Sequence, residues 1–303
     1  MSLISICIPV LNEEDNILNT FHTIDNFFKK DLSEYSYEII FTDNDSTDDT
    51  ENIITELAKK NKNIKYIRFK KNLGYDKSIL EGYKNSNGEA SIVIHCDLQD
   101  PIGLIKNFIT EWKKGHDVVY GIIKTRKESL LFTFFRNLYY KIMNVNSESN
   151  YPLGAGDFRL VDKKVINRFA NNNNLYPYVR GLTFSLSNNP KGIEYDRTDR
   201  KFGKSKLGYY GTLTYAISYL IEETRIFVRF FARFNLIIFA FSVIFSLINV
   251  YLDFKFFSLF QNLILLLLVI LIFICTIISE YILRIYFQIK KENKTIYKKQ
   301  INL

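Results

Sequence analysis

Residues 92–100 read IVIHCDLQD, a run of β-forming side chains that stops in two carboxylates and an amide just before Pro101. Asp97, Gln99 and Asp100 offer oxygen donors, which suit Mg²⁺ or Mn²⁺, ions that keep several waters and bridge to the phosphates of a substrate. His95 precedes Asp97 by two positions; its neutral imidazole can exchange one hydrogen bond or ligate a metal, but it adds no fixed negative charge. A solvated turn has the same composition, because Asp and Pro are ordinary loop residues. The segment therefore takes its meaning from its neighbours.

Short β-rich runs at residues 4–9, 37–42, 64–69, 91–96 and 117–120 alternate with segments of helical period. Ile17, Phe21, Ile24 and Phe28 mark one helical face, and Leu104, Ile105, Phe108 and Trp112 another. Alternation of this kind predicts βαβ units and a doubly wound, mostly parallel α/β sheet. Ligands of such sheets bind off the carboxyl ends of the strands. The segments expected there are PVLNEED, TDNDSTDDT, KNLGYDKS and CDLQDP, of which three are acidic or amide-rich. Ser46, Asp48 and Asp49 read as helix-starting residues, Ser46 as a cap and the two carboxylates near the positive end of the helix. Asp43 falls at the strand tip itself, where it can accept hydrogen bonds from a base or a ribose. Gly74 suits a turn, and Gly82 and Gly88 suit close packing.

The 303 residues carry a net charge of +8 and are 47% hydrophobic, enough chain for one large domain or two ordinary ones. Neither property is evenly spread. Residues 234–252 and 256–279 contain no Asp, Glu, Lys or Arg, and each is about as long as the roughly 20 residues needed to cross a hydrocarbon core. Arg225, Arg229 and Arg233 precede the first stretch; Arg284, Lys290, Lys291, Lys294, Lys298 and Lys299 follow the second. The positive-inside rule then puts both flanks in the cytoplasm. Residues 1–10 lack the basic flank and cleavage site of a signal peptide and are expected to open the fold as a strand. Cys7, Cys96 and Cys275 have no metal-like spacing and read as reduced thiols. A basic segment that leads into apolar spans argues against nucleic acid as the partner.

The ordered succession PVLNEE, TDNDSTDDT, NLGYDKS, CDLQDP, GAGDFRL and RTDRKFGKSKLGY resembles the inverting family 2 glycosyltransferases of GT-A fold. Within them it is similar to the branch that acts on polyprenyl phosphates, which includes dolichol-phosphate mannose synthases and bacterial bactoprenol glycosyltransferases. The resemblance implies a cytoplasmic catalytic domain over residues 1–206, membrane-interface helices over 207–233, and two transmembrane helices with a basic tail over 234–303. It places the protein in a bacterial cytoplasmic membrane with both termini cytoplasmic, and is compatible with a homo-oligomer.

The same resemblance implies roles. Pro9, Asn12 and Glu13 match the first nucleotide-contacting loop, and Asp43 the base-recognising acid. Asp97 matches the metal-holding carboxylate of the D-x-D element, with Gln99 a further metal or diphosphate contact and His95 a third candidate ligand. Asp157 and Arg159 fall near the transfer site; Arg126, Arg197, Arg200, Lys204, Ser205 and Lys206 are the residues expected to gather phosphates. The implied reaction moves a sugar, with inversion, from a nucleotide-sugar of the UDP type to undecaprenyl or another polyprenyl phosphate, for cell-envelope glycan modification, with Mg²⁺ or Mn²⁺. Three positions depart from the family: His95 where Asp is usual, Asn44–Asp45 in place of an acid and a glycine, and Ile123 where arginine is frequent. Two other readings stay open, a transferase acting on a glycan or another lipid, and a silent membrane scaffold that binds nucleotide-sugar or lipid.

Overall fold

The computed structural model describes residues 1–124, 133, 139, 141, 154–169, 179–198, 226–251, 259–289 and 297–303. It divides into a sheet unit, Met1–Tyr209 with Glu292–Leu303, and a helical unit, Tyr210–Lys291.

The sheet unit begins with four β-strands separated by helices: β1 (Leu3–Val10), α1 (Glu14–Asp31), β2 (Ser36–Asp43), α2 (Thr50–Lys60), β3 (Ile64–Phe69), α3 (Tyr75–Lys84) and β4 (Ala90–Val93). After these come α4 (Leu104–Lys113), β5 (Val118–Ile123), β6 (Ala155–Asp162), α5 (Lys163–Phe169), α6 (Val179–Leu186) and β7 (Pro190–Tyr195). The helical unit supplies α7 (Ile226–Tyr251) and α8 (Leu259–Ile289), after which the chain returns to the sheet as β8 (Tyr297–Ile301). The eight strands lie in the order β7-β5-β6-β4-β1-β2-β3-β8. Pairing is parallel through β4-β1-β2-β3 and between β5 and β7, and antiparallel where β6 meets β4 and β5 and where β8 meets β3. The sheet is thus mixed, with the expected parallel arrangement confined to its centre and one edge pair.

The two faces of this sheet differ. On one, Ile4, Ile6, Ile8 and Val10 pack with Ile39, Phe41, Ile92, Ile94 and Leu160 beneath Ile17, Phe21, Ile24 and Phe28 of α1 and Ile105 and Phe108 of α4. Phe108 meets Phe158 at a ring separation of 4.7 Å, and truncating such a buried ring to alanine costs about 3–5 kcal/mol. The other face mixes apolar side chains, Cys7, Ile40, Ile67 and Val93, with a buried polar cluster. Ser5 donates to Glu38 over 2.5 Å, Glu38 pairs with Lys65 at 2.9 Å, and Asn87 N–H and Gly88 N–H close the turn before β4 on the same groups. A Cβ on Gly88 would stand 2.7 Å from the Ser5 nitrogen, so only glycine lets this turn lie against β1.

Two sequence expectations change in detail. The fourth strand ends at Val93 rather than 96; Ile94 N–H still donates to Cys7 over 3.1 Å, after which Leu98, at φ 52°, bends the chain away. The C-terminal residues, expected as a basic tail, include an edge strand of the sheet.

In the helical unit, Asn235 of α7 donates to Thr276 of α8 over 3.1 Å. Phe241, Leu247, Leu267 and Leu271 are more than half exposed. Among the described residues no helix is long and apolar enough to cross a membrane. The side chains of α8 are described without interruption over residues 266–279 and those of α7 over 233–245.

Candidate active site

Four post-strand segments meet at the carboxyl edge of β4, β1, β2 and β3, and three of them contain a non-glycine residue in the left-handed region: Asn12 (φ 52°), Asp45 (φ 64°) and Leu98 (φ 52°). Asn and Asp tolerate that conformation; a leucine there is uncommon and is held by its surroundings. The first two segments are knitted together. Asn12 N–H donates to Ser46 Oγ over 2.9 Å, Thr47 N–H to Asn12 Oδ1 over 2.7 Å, Glu13 N–H to Thr50 Oγ1 over 2.9 Å, and Glu14 N–H to Asp48 over 3.2 Å. Ser46 therefore joins two loops rather than capping α2. Asp48 takes the helix-starting role, accepting the Thr50 N–H over 3.1 Å. Pro9 stands in register with Thr42, and Val10, which ends β1, with Asp43, so the Asn12–Glu13 turn emerges beside the tip of β2.

Asp43 lies inside this knot at 0% exposure. One of its oxygens accepts from Ser46 N–H (2.9 Å) and Ser46 Oγ (2.6 Å), the other from the Tyr66 hydroxyl (2.6 Å). Both oxygens of Asp43, the carboxylate expected to meet a base or ribose, are engaged within the loop and shape it. Arg68, which the motif reading passed over, organises the same region: it reaches Glu51 at 2.5 Å, Asp45 at 3.0 Å, the Ser46 carbonyl at 2.7 Å and Asp43 at 3.6 Å. Burial pulls its affinity for a proton down, and the surrounding carboxylates more than restore it.

After β4, Asp97 is buried and accepts the Gln99 N–H over 3.2 Å. The Gln99 carbonyl accepts both the N–H (3.0 Å) and the hydroxyl (2.9 Å) of Thr198. Asp100 accepts the Tyr195 hydroxyl at 2.6 Å and pairs with Arg197 at 3.2 Å. The metal-suited loop is thereby clasped to residues 195–198, where the basic sequence begins. His95 Nε2 stands 4.0 Å from Asp100, and the ring lies parallel to that of Tyr75 at 5.5 Å with its two nitrogens 3.3 and 3.4 Å from the Tyr75 hydroxyl. Near-equal distances to both nitrogens in parallel rings make this a stacking contact rather than an in-plane hydrogen bond.

On the face with the polar cluster, Asp157 and Arg159 stand two apart on β6. Arg180 from α6 grips Asp157 with two bonds, Nε to Oδ1 at 3.2 Å and Nη2 to Oδ2 at 2.9 Å, while Arg159 lies 3.6 Å from the same carboxylate. Burial pushes the Asp157 carboxyl up, but Arg180 and Arg159 outweigh it and hold the group well below the usual carboxylate range. Such a group is a poor proton acceptor at neutral pH. Arg159 is fully buried, and Tyr83 and Asp157 beside it more than offset the cost that burial sets on its charge. Its guanidinium faces inward rather than toward the surface. Arg180 is the partly exposed arginine of this pair, and its sequence context VRGLTFSL carried no signal of its own. Arg126, Arg200, Lys204, Ser205 and Lys206 lie outside the described residues.

Among the described residues no group of three His, Cys, Asp or Glu side chains forms a ready cation cage. Asp100 is committed to Tyr195 and Arg197. The donor set around Asp97 therefore fits Mg²⁺ or Mn²⁺ only in the manner usual for nucleotide substrates, held by one or two protein groups together with phosphate oxygens and water.

The profile of the family described as "Glycosyl transferase family 2" matches residues 5–169. The chain is 32% identical over 220 residues to a putative glycosyltransferase, CsbB, of Bacillus subtilis, covering 73% of this chain and 66% of that protein. It is 33% identical over 206 residues to the uncharacterized glycosyltransferase YkcC of the same organism (67% and 62%), and 32% identical over 208 residues to the bactoprenol glucosyl transferase of Shigella phage SfX (67% and 66%). The matched part thus spans a little under two thirds of the length of these relatives. Among solved structures, the mannosyltransferase PcManGT from Pyrobaculum calidifontis, in complex with GDP-Man and Mn²⁺, aligns with a TM-score of 0.49 at 14% identity, over 74% of this chain and 65% of that one. On the match to more than half its length, the chain belongs to glycosyl transferase family 2.

Proposed function

We propose that this protein transfers a sugar, with inversion, from a nucleotide-sugar of the UDP type to a polyprenyl phosphate at a membrane surface. The observation that carries the reading is the clasp between the Asp97–Asp100 loop and residues 195–198, through Asp100–Arg197 and Gln99–Thr198. It ties an oxygen-donor loop suited to a metal-bound diphosphate to the start of the basic sequence RTDRKFGKSK, suited to a second phosphate. Relatives named bactoprenol glucosyl transferase support the polyprenyl phosphate acceptor.

The chemistry needs little from the protein beyond placement and charge. A bound divalent ion would supply Lewis-acid stabilisation of the departing diphosphate, with Asp97 as its anchor, His95 as a second candidate donor and Gln99 close by. A phosphate monoester has its second pKa near 6 and attacks without giving up a proton, so no general base is required. That agrees with Asp157, which its arginine partners keep ionised and weakly basic. Arg180, Arg197 and the lysines of the basic stretch would keep two anions together.

The apolar helices fit the membrane side of this reading. As whole helices, α7 and α8 extend about 39 and 46 Å at 1.5 Å per residue, against roughly 30 Å for a hydrocarbon core, while no run of their described residues is by itself long and apolar enough to cross. They overlap the charge-free stretches 234–252 and 256–279 of the sequence, and their described apolar side chains are largely exposed. Because the chain leaves the sheet unit before α7 and rejoins it at β8, a hairpin of two crossings keeps both ends on one side, the cytoplasmic side by the distribution of Arg and Lys.

The test is incubation of the purified full chain with undecaprenyl phosphate and a panel of nucleotide-sugars, with and without Mn²⁺, followed by mass analysis of the lipid. A single-sugar lipid phosphate that disappears with EDTA is expected. Polymer, or no product across the panel, would remove the proposal.

A further inference from the structure

The C-terminal strand brings cations to a place where the remainder of the sheet leaves carboxylates in excess. β8 pairs antiparallel with β3 so that Arg68 faces Lys299 and Phe69 faces Tyr297. From this strand, Lys299 Nζ reaches Glu51 at 3.0 Å and Thr55 at 2.9 Å, and Lys298 approaches Asp45 to 3.9 Å. The strand is fixed at both ends. The Tyr297 hydroxyl donates to the buried Glu81 over 2.6 Å, and Asn302 donates to the carbonyls of Ala58 and Ile64, each over 2.8 Å.

Glu51 is the point of exchange. It is shared between Lys299 and Arg68, and Arg68 in turn holds Asp45, Asp43 and the Ser46 carbonyl. Ser46 is the residue whose hydroxyl receives the Asn12 N–H, so two ion pairs separate the C-terminal strand from the clasp between the first two loops. Among the described residues, the cation that Asp43, Asp45 and Glu51 would keep without those of β8 is Arg68. Glu51 would draw the guanidinium away from Asp45 and Ser46, and the cleft edge would turn more negative toward an anionic ligand.

We infer that Lys299 is a positioning residue for nucleotide binding: the strand that follows the apolar hairpin sets, through Glu51 and Arg68, the shape and charge of the Asp43–Ser46 loop. This rests on the reading of that loop as part of a nucleotide-sugar site. The role separates from simple sheet stabilisation, because an edge strand that only adds stability would change the melting temperature and not the affinity of correctly folded protein for nucleotide.

The experiment uses the full chain in detergent micelles with Mn²⁺, measuring binding of UDP, GDP and CDP by calorimetry and, where transfer is observed, KM for the donor and kcat. For Lys299→Met, the Kd of the best-bound nucleotide and the donor KM should rise about fivefold with kcat changed less than about twofold, the upper end of what a partly exposed ion pair contributes. Lys299→Arg should restore both to within about twofold, since it keeps the charge. Tyr297→Phe, which loosens the strand from α3 while keeping both lysines, serves as the stability control and should lower the melting temperature more than it raises Kd. Unchanged nucleotide affinity in Lys299→Met, or equal weakening in Lys299→Arg, overturns the inference while leaving the functional reading intact. A wild-type protein that binds none of the three nucleotides overturns both.

Discussion

The Asp43 and Asp157 clusters belong to one sheet and use their arginines in opposite ways. Around Asp43, hydroxyls and a backbone N–H occupy both carboxylate oxygens, and Arg68 is spread over three carboxylates and a carbonyl. Around Asp157, two guanidinium groups share one carboxylate, and the deeper of them, Arg159, is fully buried with Tyr83 and Asp157 beside it. The first arrangement fixes the shape of a loop. The second keeps fixed positive charge in a poorly solvated place, where it acts strongly on any negative charge that develops nearby and needs no reorganisation to do so. Between them runs the His95–Asp100 segment, linked to the Asp157 side through Tyr75 and to the basic sequence through Arg197.

The largest effect should come from the segment between the clusters. Asp97→Ala removes the carboxylate best suited to a metal-bound diphosphate, and transfer should fall about a hundredfold or more, comparable with loss of one preorganised electrostatic group. The fold should survive, because the apolar face that holds β4 is untouched. The measurement is turnover against Mn²⁺ concentration beside a thermal melt. Retained turnover at normal stability would mean that neither cluster serves a metal-bound donor at Asp97.

A second substitution tests whether the Asp157 cluster stores charge. Asp157→Asn leaves Arg159 and Arg180 without their shared counter-ion and should destabilise the sheet unit by about 3 kcal/mol at neutral pH, as when one member of a buried pair is removed. The sign with pH follows from the lowered folded-state pKa: the contribution of Asp157 is fully present above its unfolded value and is lost as pH falls toward the folded one. The wild type's advantage should hold from pH 8 to about 5 and shrink below about pH 4, near the ordinary carboxylate value. Denaturant midpoints along that range check it. An advantage that grew as the solution became acidic would reverse the assignment, and an activity profile with a neutral limb that vanished in Asp157→Asn would make Asp157 a base after all.

The sequence made the apolar half of this comparison legible and hid much of the polar half. Short β-rich runs and helical-period patterns foretold the first five strands and the α1 and α4 faces, because burial against a sheet leaves a regular signature in Ile, Leu and Phe. The post-strand motifs located the carboxyl edge for the same reason. Polar partners follow no period: Arg68 sits in an ordinary-looking strand, Arg180 in a short helix, and each acquires its meaning only from side chains distant in sequence. Asp43 and Arg159 were recognisable as residues of interest, but motif position does not reveal burial, and both proved to face inward. β8 escaped because YKKQI reads as a solvated basic tail until β3 offers it an unpaired edge.

The finest separation between the clusters concerns His95. Its imidazole stacks on Tyr75, whose hydroxyl feels the charges of Asp157, Arg159 and Arg180, and its Nε2 is 4.0 Å from Asp100, which belongs to the clasp. His95→Asp would put a second carboxylate two residues from Asp97 and recreate the usual acidic pair of the family. Its fixed charge would strengthen the hold on a hard cation, which prefers oxygen donors, so half-maximal activity should need several-fold less Mg²⁺. The substitution also sets a like charge beside Asp100, whose partners Tyr195 and Arg197 absorb it, so turnover at saturating metal should change by less than about threefold. The check is a Mg²⁺ and Mn²⁺ titration of turnover for both proteins. A tighter metal requirement with preserved turnover makes His95 a weak stand-in for the missing acid. Loss of turnover with metal affinity unchanged would instead make the Tyr75–His95 stack the link by which the charged Asp157 side positions the metal loop.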